Sequence, residues 1–308
     1  MNNLNPQAER LVGVEVSSLM LNAVCVDKNG AVVDSAKSPL SNQQDTLSQL
    51  TDFINELKSR FGESKKIGVA LPGLLNRATN RITISKHLPE NTNLDLAEEI
   101  RQRTGLEAFL ENDANAAAYG EYVLGAGRGS TDVFYITLGT GVGGAFIFNG
   151  SLWRGASGFA GELGYITINS DGMTLEEVAS ANSIVRRTKT RVQQDHTSSL
   201  ARIKEQDIRV SHVVEAANSG DDFSRMMLER TGSYVGTAIA NVINLLNIGK
   251  IVVGGEIMGA GHIVLDAIKK SARELSFKPS FETTQIVAGE LGENAVGIGA
   301  ALLSADNA

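Results

Sequence analysis

An apolar segment that ends in adjacent amide and carboxylate side chains is the feature that most constrains the fold of this chain. The segment runs from Leu106 to Leu110, Asn112 and Asp113 come just after it, and an Ala-rich helical stretch follows. This pattern places Asp113 at a strand-to-helix turn, where open α/β sheets bind their ligands. Two roles are open to Asp113 there. It can accept a proton from a substrate hydroxyl while Asn112 bonds a neighbouring hydroxyl, or it can serve only as a helix N-cap.

A glycine-rich segment further along the chain has the composition of a phosphate-binding turn. The strand pattern of Val133–Leu138 leads into Gly139, Thr140 and Gly141, and a second strand pattern follows Gly144. Glycines let backbone N–H groups approach a phosphate, and the Thr140 hydroxyl adds a donor. The segment is not a Walker loop, because no Gly-Lys-Ser/Thr follows. It is not a dinucleotide fingerprint either, because a strand follows it and not a helix.

Composition and charge limit the class of protein. The chain has 308 residues, 42% of them hydrophobic, which is enough to bury a large core in two lobes. Strands and helices alternate, which favours an α/β fold. The net charge of -7 provides no basic surface for nucleic acid, and Cys25 alone cannot form an intramolecular disulfide. We find no signal-peptide pattern and no membrane-length apolar run, so we expect a cytoplasmic protein without a membrane segment.

Segments along nearly the whole chain resemble the ROK family of sugar kinases and sugar-responsive repressors, within the actin-like ATPase superfamily. The matching segments are Gly13–Gly30, Leu71–Gly73, Glu111–Glu121, Thr137–Gly144, Gly161–Gly164, Leu175–Ser180 and Ile251–Gly255. The resemblance implies a two-lobed actin-like ATPase (ribonuclease H-like) α/β fold with a ligand cleft between the lobes. It implies a small lobe of residues 1–117, onto which a C-terminal helix at 293–308 packs back, and a large lobe of residues 118–292.

The same resemblance implies ATP-dependent phosphorylation of a glucose-like hexose or an N-acetylhexosamine at the 6-hydroxyl, with Asp113 as the general base. The sugar-binding residues that it implies are Gly73, Asn112, Asp113, Glu162, Tyr165 and Glu176. Those for ATP, bound with Mg²⁺, are Glu15, Ser17, Ser18, Gly139, Thr140, Gly141, Gly143, Gly254 and Gly255. Relatives suggest a homodimer. Glucose, mannose, N-acetylglucosamine and N-acetylmannosamine all remain open as the sugar.

The chain departs from the family at its usual zinc site. Most members hold a structural zinc with a histidine and three closely spaced cysteines. Here Tyr165 stands in place of that histidine, and residues 166–174 contain no cysteine. Zinc needs about four N or S ligands, so we expect no structural zinc. Thr174, with Glu177 three residues on, predicts a capping box that stabilises the end of the shortened loop.

The first phosphate hairpin also departs from the family. Where the family has Asp-x-Gly-Gly-Thr-Lys, this chain reads EVSSLM from Glu15 to Met20, and Glu256 follows Gly255 where a third glycine is usual. Serines make close backbone approach to a phosphate harder than glycines do. A second function therefore stays open, a sugar-binding sensor or pseudokinase of the family without efficient phosphoryl transfer. We expect no repressor, because the first strand begins by Leu11 and leaves no room ahead of it for a winged helix-turn-helix.

Overall fold

Two five-stranded sheets organise the chain in a computed structural model. It describes residues 10–27, 29–41, 43–61, 64–76, 81–84, 94–192, 194 and 197–306. The described residues fall into two compact units. The first takes them from 1–125, 152–160 and 293–308, and the second from 126–151 and 161–292. The lobe boundaries expected from the sequence, at residues 117/118 and 292/293, stay a prediction.

The elements of the described residues are named in chain order. The strands are β1 (Leu11–Val16), β2 (Met20–Val26), β3 (Val32–Pro39), β4 (Lys66–Leu71), β5 (Leu74–Asn76), β6 (Arg81–Ile84), β7 (Glu107–Asn112), β8 (Val133–Leu138), β9 (Val142–Phe148), β10 (Ser151–Trp153), β11 (Lys250–Gly254) and β12 (Gln285–Ala288). The helices are α1 (Thr46–Phe61), α2 (Leu96–Thr104), α3 (Asp113–Val123), α4 (Leu175–Ala179), α5 (Ala181–Val192), α6 (Val210–Asn218), α7 (Asp222–Leu246), α8 (His262–Leu275), α9 (Lys278–Glu282) and α10 (Ala295–Asp306).

The sheet of the first unit has the order β3-β2-β1-β4-β7. Strands β1, β2 and β3 form an antiparallel meander, whereas β4 runs parallel to both β1 and β7. The apolar stripe of α1, which includes Leu50 and Ile54, is buried. Because β1, β4 and β7 are parallel, the residues that follow their carboxyl ends share one edge of the sheet.

Helix α10 packs on β1, β4 and α3 so closely that their main chains are in contact. A methyl group at Gly13 would lie 1.9 Å from the Gly297 carbonyl oxygen, and one at Gly299 would lie 1.7 Å from the Ala116 carbonyl oxygen. Only glycine permits such contacts between main chains. The chain therefore buries its last helix directly against the strand and helix that lead to the candidate site.

The second unit repeats the mixed-sheet plan, with its strands in the order β9-β8-β11-β12. Strand β9 is antiparallel to β8, whereas β11 is parallel to both β8 and β12. The long helix α7 packs against α8 at Gly232 and Gly236, whose added methyl groups would lie within 2.6 Å of α8 carbonyl oxygens. Within the described part of the chain, every helix is too short or too polar to span a bilayer.

One predicted helix is broken in the structure. The sequence pattern favours a single helix from Thr174 to Gln194, but the chain forms α4 and α5 with Ser180 between them. Ser180 has an extended backbone (φ -69°, ψ 157°), and its hydroxyl accepts a hydrogen bond from the Ser183 N–H. The break lets α4 and α5 contact the glycine hairpin at separate points, as described below.

Candidate active site

Three predicted site segments meet at one edge of the first sheet. Ser17 follows β1, Gly73 follows β4, and Asp113 follows β7. In the parallel register Glu15 pairs with Ala70, and Asn112 pairs with Leu71. The carboxyl edge of a parallel sheet is where open α/β folds bind ligands. The predicted residues of this unit therefore lie together at a position suited to binding.

The turn between β7 and α3 shows which residue caps the helix. Asn112, and not Asp113, is the N-cap, because its Oδ1 accepts a hydrogen bond from the Asn115 N–H at 3.1 Å. The Asn112 Nδ2 donates to the Gly73 carbonyl oxygen at 3.0 Å, which ties the turn to the segment after β4. Asp113 is the first helical residue, and its Oδ1 accepts a hydrogen bond from the Ala114 N–H at 2.8 Å. The N-cap role alone does not account for Asp113.

A buried ion pair fixes Glu111, the residue that precedes this turn. The Glu111 side chain is 2% exposed, and its Oε2 accepts hydrogen bonds from the Arg154 Nη2 at 2.6 Å and Nε at 3.2 Å. The other oxygen accepts from the Asn112 N–H and from the Asn115 side chain. A buried carboxylate is stable only when paired in this way. Sequence reasoning missed Arg154, because nothing in the chain signals that it reaches Glu111, 43 residues away.

Glu15 lies close enough to Asp113 for the two carboxyl groups to interact. The pKa of Glu15 is raised from 4.5 to about 7, chiefly by burial and to a smaller extent by the charge of Asp113, against the lowering effect of a hydrogen bond from Asn22. That bond joins the Asn22 Nδ2 to the Glu15 Oε2 at 3.4 Å. The edge therefore holds two neighbouring acidic groups, one of which titrates near neutral pH.

The glycine hairpin of the second unit, Gly139–Gly141, joins β8 to β9. The Gly139 N–H donates to the Gly141 carbonyl oxygen at 3.0 Å, and the Gly139 carbonyl oxygen accepts from the Ala181 N–H at 2.8 Å. From α4, the Glu176 Oε2 accepts a hydrogen bond from the Val142 N–H at 3.2 Å. The nearest heavy atom to a methyl group added at Gly139 lies 4.0 Å away. The hairpin is thus held by α4 and α5 and leaves space over Gly139.

Gly254 and Gly255 lie at the same edge of this sheet as the glycine hairpin, since Gly254 pairs with Thr137. Gly255 has φ +93°, and a methyl group there would lie 2.4 Å from the Leu138 carbonyl oxygen. Glu256 follows them, and its Oε1 is the atom that lies 4.0 Å from the methyl position of Gly139. Burial raises the pKa of Glu256. The predicted nucleotide-binding residues of this unit therefore lie together at one edge of the sheet. Glu256, which replaces the family's usual third glycine, lies beside them.

Glu162 and Tyr165 lie in a segment that packs on β9. Gly161 has φ +98°, and a methyl group there would lie 2.1 Å from the Gly144 carbonyl oxygen, so the two glycines allow close contact of the main chains. Tyr165 ends a short 3₁₀ turn that begins at Leu163, and it is 65% exposed. An exposed phenol in this place is accessible to a ligand and is not part of the core.

Comparison with known proteins decides the family. The sequence model that matches is that of the ROK family, over residues 11–307. The chain belongs to the ROK family. It is 32% identical to a glucokinase of Halalkalibacterium halodurans, over 94% of this chain and 92% of that protein. It is 26% identical to the xylose repressor of Bacillus subtilis, over 98% of this chain and 79% of that protein.

A solved ROK structure has the same fold. The ROK family glucokinase from Streptomyces griseus, in complex with glucose and AMPPNP, superposes with a TM-score of 0.87 at 29% identity, covering 97% of this chain and all of that chain (100%). The predicted fold class, α/β with the actin-like ATPase fold, is thereby confirmed. Of the sequence motifs that carried the prediction, those that follow β1, β4, β7, β8 and β11 lie at the two sheet edges described above. Gly161–Gly164 lies in the segment that packs on β9, and Leu175–Ser180 forms α4 and its end.

The loop at the position of the family's zinc site is closed by hydrogen bonds. Thr167 and Thr174 form an isolated antiparallel bridge, and the Ile168 N–H donates to the Met173 carbonyl oxygen at 2.9 Å. Glu177 accepts hydrogen bonds from the Thr174 N–H and hydroxyl, at 2.8 Å and 3.0 Å. Among the described residues, no group of three or more His, Cys, Asp or Glu side chains is arranged to hold a metal ion. The expected absence of zinc stays a prediction.

Proposed function

We propose that this ROK protein is an ATP-dependent hexose kinase that phosphorylates a glucose-like hexose or an N-acetylhexosamine at the 6-hydroxyl. The observation that carries the proposal is the position of Asp113. It is the first residue of α3 at the carboxyl edge of a parallel sheet, and the cap of that helix is supplied by Asn112. The matched glucokinases are the relatives that support a sugar as the acceptor.

Asp113 is the general base of the proposed reaction. Its carboxylate accepts the proton of the 6-hydroxyl as the hydroxyl oxygen attacks the γ-phosphoryl group of ATP. Phosphoryl transfer depends mostly on positioning and on charge neutralisation. The positioning comes from the turn, because Asn112 is bound to Gly73 and the buried Glu111–Arg154 pair fixes the residue before it.

The proposed sugar contacts are hydrogen bonds to hydroxyl groups. Asn112 already uses its Nδ2 on Gly73 and its Oδ1 on the Asn115 N–H. An amide side chain has two N–H donors and two acceptor lone pairs, so one of each remains for a sugar hydroxyl. The other sugar residues that we propose are Gly73, Glu162, Tyr165 and Glu176. Glu176 also binds the Val142 N–H, so it would link the sugar to the glycine hairpin.

The proposed ATP phosphates lie along the glycine hairpin. The space over Gly139 fits a phosphate oxygen, the Thr140 hydroxyl can donate to it, and Gly141 and Gly143 complete the segment. Gly254 and Gly255 would contact the adenosine, and Glu15, Ser17 and Ser18 are the proposed donor-side residues of the first unit. Mg²⁺ would be bound together with the nucleotide and would supply neutralisation of the phosphate charge.

A sensor or pseudokinase is the second candidate function. The observation that favours it is the turn after β1, where Ser17 and Ser18 replace the family's glycines and the backbone is closed on itself. Sugar would bind in either case, whereas only a kinase releases ADP in a sugar-dependent way.

We also propose a homodimer, which light scattering of the purified protein would measure.

A panel assay separates the two functions. ADP release, coupled to an indicator reaction, is followed with ATP and Mg²⁺ and with glucose, mannose, N-acetylglucosamine or N-acetylmannosamine. A kinase gives turnover with at least one sugar and none without sugar. If calorimetry detects a bound sugar but no sugar produces ADP above the blank, the sensor function is correct and the kinase proposal is wrong.

A further inference from the structure

The turn between β1 and β2 is closed by a side chain of its own. The Ser17 Oγ accepts a hydrogen bond from the Met20 N–H at 3.0 Å and a longer one from the Leu19 N–H at 3.4 Å. The same hydroxyl donates to the Met20 carbonyl oxygen at 2.9 Å. A serine hydroxyl has one donor and two acceptor sites, so the turn uses all of them.

The backbone of this turn differs from a phosphate-binding nest. A nest directs successive N–H groups at an anion by placing one residue in the left-handed region, which glycine does most readily. None of the residues from Ser17 to Met20 has a positive φ. The Ser17 N–H also donates to the Met20 carbonyl oxygen, at 2.9 Å. The turn is therefore a tight hairpin whose N–H groups bind the Ser17 hydroxyl in place of an outside anion.

The turn lies at the edge of the sheet that carries the proposed base. It continues β1 just beyond Glu15, whose carboxyl group interacts with that of Asp113. Its tip is apolar and open, since Leu19 is 72% exposed. A donor phosphate that reaches this edge would meet N–H groups already bound to a hydroxyl.

We propose that Ser17 lowers the affinity for the phosphoryl donor, because its hydroxyl occupies the Leu19 and Met20 N–H groups that a donor phosphate would otherwise bind. The inference rests on the proposed function, which places the donor at this turn. Removal of the hydroxyl frees two N–H groups for a charged acceptor, and hydrogen bonds to charged acceptors are the stronger kind. Removing a polar group from the turn should therefore tighten donor binding.

Two variants test the proposal. Ser17→Ala removes the hydroxyl, and Ser17→Gly removes it and also allows a positive φ. Each should lower the dissociation constant for AMPPNP with Mg²⁺, measured by calorimetry, by about tenfold, which is the effect of one net hydrogen bond to a charged group. The KM for ATP should fall in parallel while the KM for the sugar stays the same. Ser17→Thr keeps a hydroxyl. It should change the dissociation constant for AMPPNP and the KM for ATP far less than Ser17→Ala does.

A matched control is Ser59→Ala, which removes a serine hydroxyl from the exposed end of α1, where it donates to the Glu56 carbonyl oxygen at 2.8 Å. It should bind AMPPNP as the parent does. Circular dichroism establishes that each variant is folded. Weaker binding by both Ser17→Ala and Ser17→Gly would show that the hydroxyl itself contacts the donor, and unchanged binding would show that the turn does not limit it. Either result overturns the proposal. Because binding is measured without turnover, this failure is distinct from failure of the kinase function, which is loss of sugar-dependent ADP release in the parent.

Discussion

Asn112 caps the helix that begins at Asp113, so the N-cap role that the sequence left open for Asp113 belongs to its neighbour. The sequence predicted that these two residues lie at a strand-to-helix turn, but it could not divide the roles between them. That division depends on which side chain reaches the Asn115 N–H, a matter of backbone angles at the cap. Arg154 was missed for a similar reason, because no local pattern in the sequence signals its contact with Glu111.

Glu15 provides a residue-scale prediction on the pH dependence of stability. Its pKa is raised from 4.5 to about 7, chiefly by burial. Below pH 4.5 the group is protonated in both the folded and the unfolded chain. As the pH rises towards 7, the unfolded chain loses its proton first. The free energy of unfolding therefore falls between about pH 4.5 and pH 7, by at most about 3 kcal/mol in total, and above pH 7 the folded protein holds the charge at a partly buried position.

Glu15→Gln removes this titration and keeps the shape of the side chain. The free energy of unfolding of the variant, from urea denaturation between pH 5 and pH 8, should fall less with pH than that of the parent. The difference between the two proteins should therefore grow in favour of the variant as the pH rises. Parallel curves across this range would show that Glu15 does not have a raised pKa.

At the scale of elements, α10 depends on glycine more than on side-chain complementarity. Gly297 and Gly299 allow α10 to contact the backbone of β1 and α3. Gly68 does the same on β4, since a methyl group added there would lie 1.9 Å from the Ala300 carbonyl oxygen. The sequence predicted a C-terminal helix at 293–308, and the helix spans Ala295–Asp306 in the structure. Its apolar composition does not indicate which face lies close to a neighbour, so the glycine contacts could not be predicted.

Gly299→Ala tests this close packing. The added methyl group would lie 1.7 Å from the Ala116 carbonyl oxygen, so α3 and α10 must separate. Overpacking of this kind costs about 1–3 kcal/mol or more, which outweighs the roughly 1 kcal/mol that alanine gains over glycine in a helix. Chemical denaturation should show a net loss of stability. The control Gly249→Ala, whose nearest atom would lie 4.0 Å away, should be close to the parent, and equal stability of both variants would contradict the packing described.

The loop from Ile166 to Thr174 gives a second prediction at this scale. A bridge between Thr167 and Thr174 and a turn at Asn169, whose Oδ1 accepts from the Met173 N–H at 3.0 Å, close the loop with hydrogen bonds. We therefore expect its stability to be independent of metal. Protein purified without added zinc should contain well below one zinc per chain, and a chelator should not lower the melting temperature. One tightly bound zinc per chain would show that a metal site was missed.

Across the whole molecule, motifs that follow strand ends were predictable and contacts between distant segments were not. The glycine hairpin and the Asn112–Asp113 turn each combine a strand pattern with turn residues. Such patterns are local in the sequence, so they predict the structure without knowledge of tertiary contacts. The break between α4 and α5 was not predicted, because the hydrogen bonds at the end of α4 come from side chains nine residues further along the chain. The Arg186 side chain donates a hydrogen bond to the Glu177 carbonyl oxygen, and the Arg187 side chain donates one to the Val178 carbonyl oxygen. These bonds replace the backbone hydrogen bonds that a longer α4 would make.

The family assignment followed from the motifs, and the departures from them decide what remains to be measured. The chain retains the proposed base and the glycine hairpin, but its first turn is bound to Ser17 and its loop beyond Tyr165 is closed without cysteines. A kinase with an altered donor site and a sensor that binds sugar without turnover share all of the geometry described. They differ in whether a bound sugar leads to release of ADP.

The most direct test is the coupled ADP-release assay on the parent, Asp113→Asn and Asp52→Asn, with sugar binding measured in parallel by calorimetry. Asp52 is an exposed carboxylate on α1 and serves as the matched control. We predict sugar-dependent turnover in the parent and in Asp52→Asn. In Asp113→Asn we predict a loss of about 10²–10⁴ in kcat, the usual effect of removing a general base, with sugar affinity retained. Parental turnover in Asp113→Asn would contradict the account, as would a parent that binds the sugar and releases no ADP.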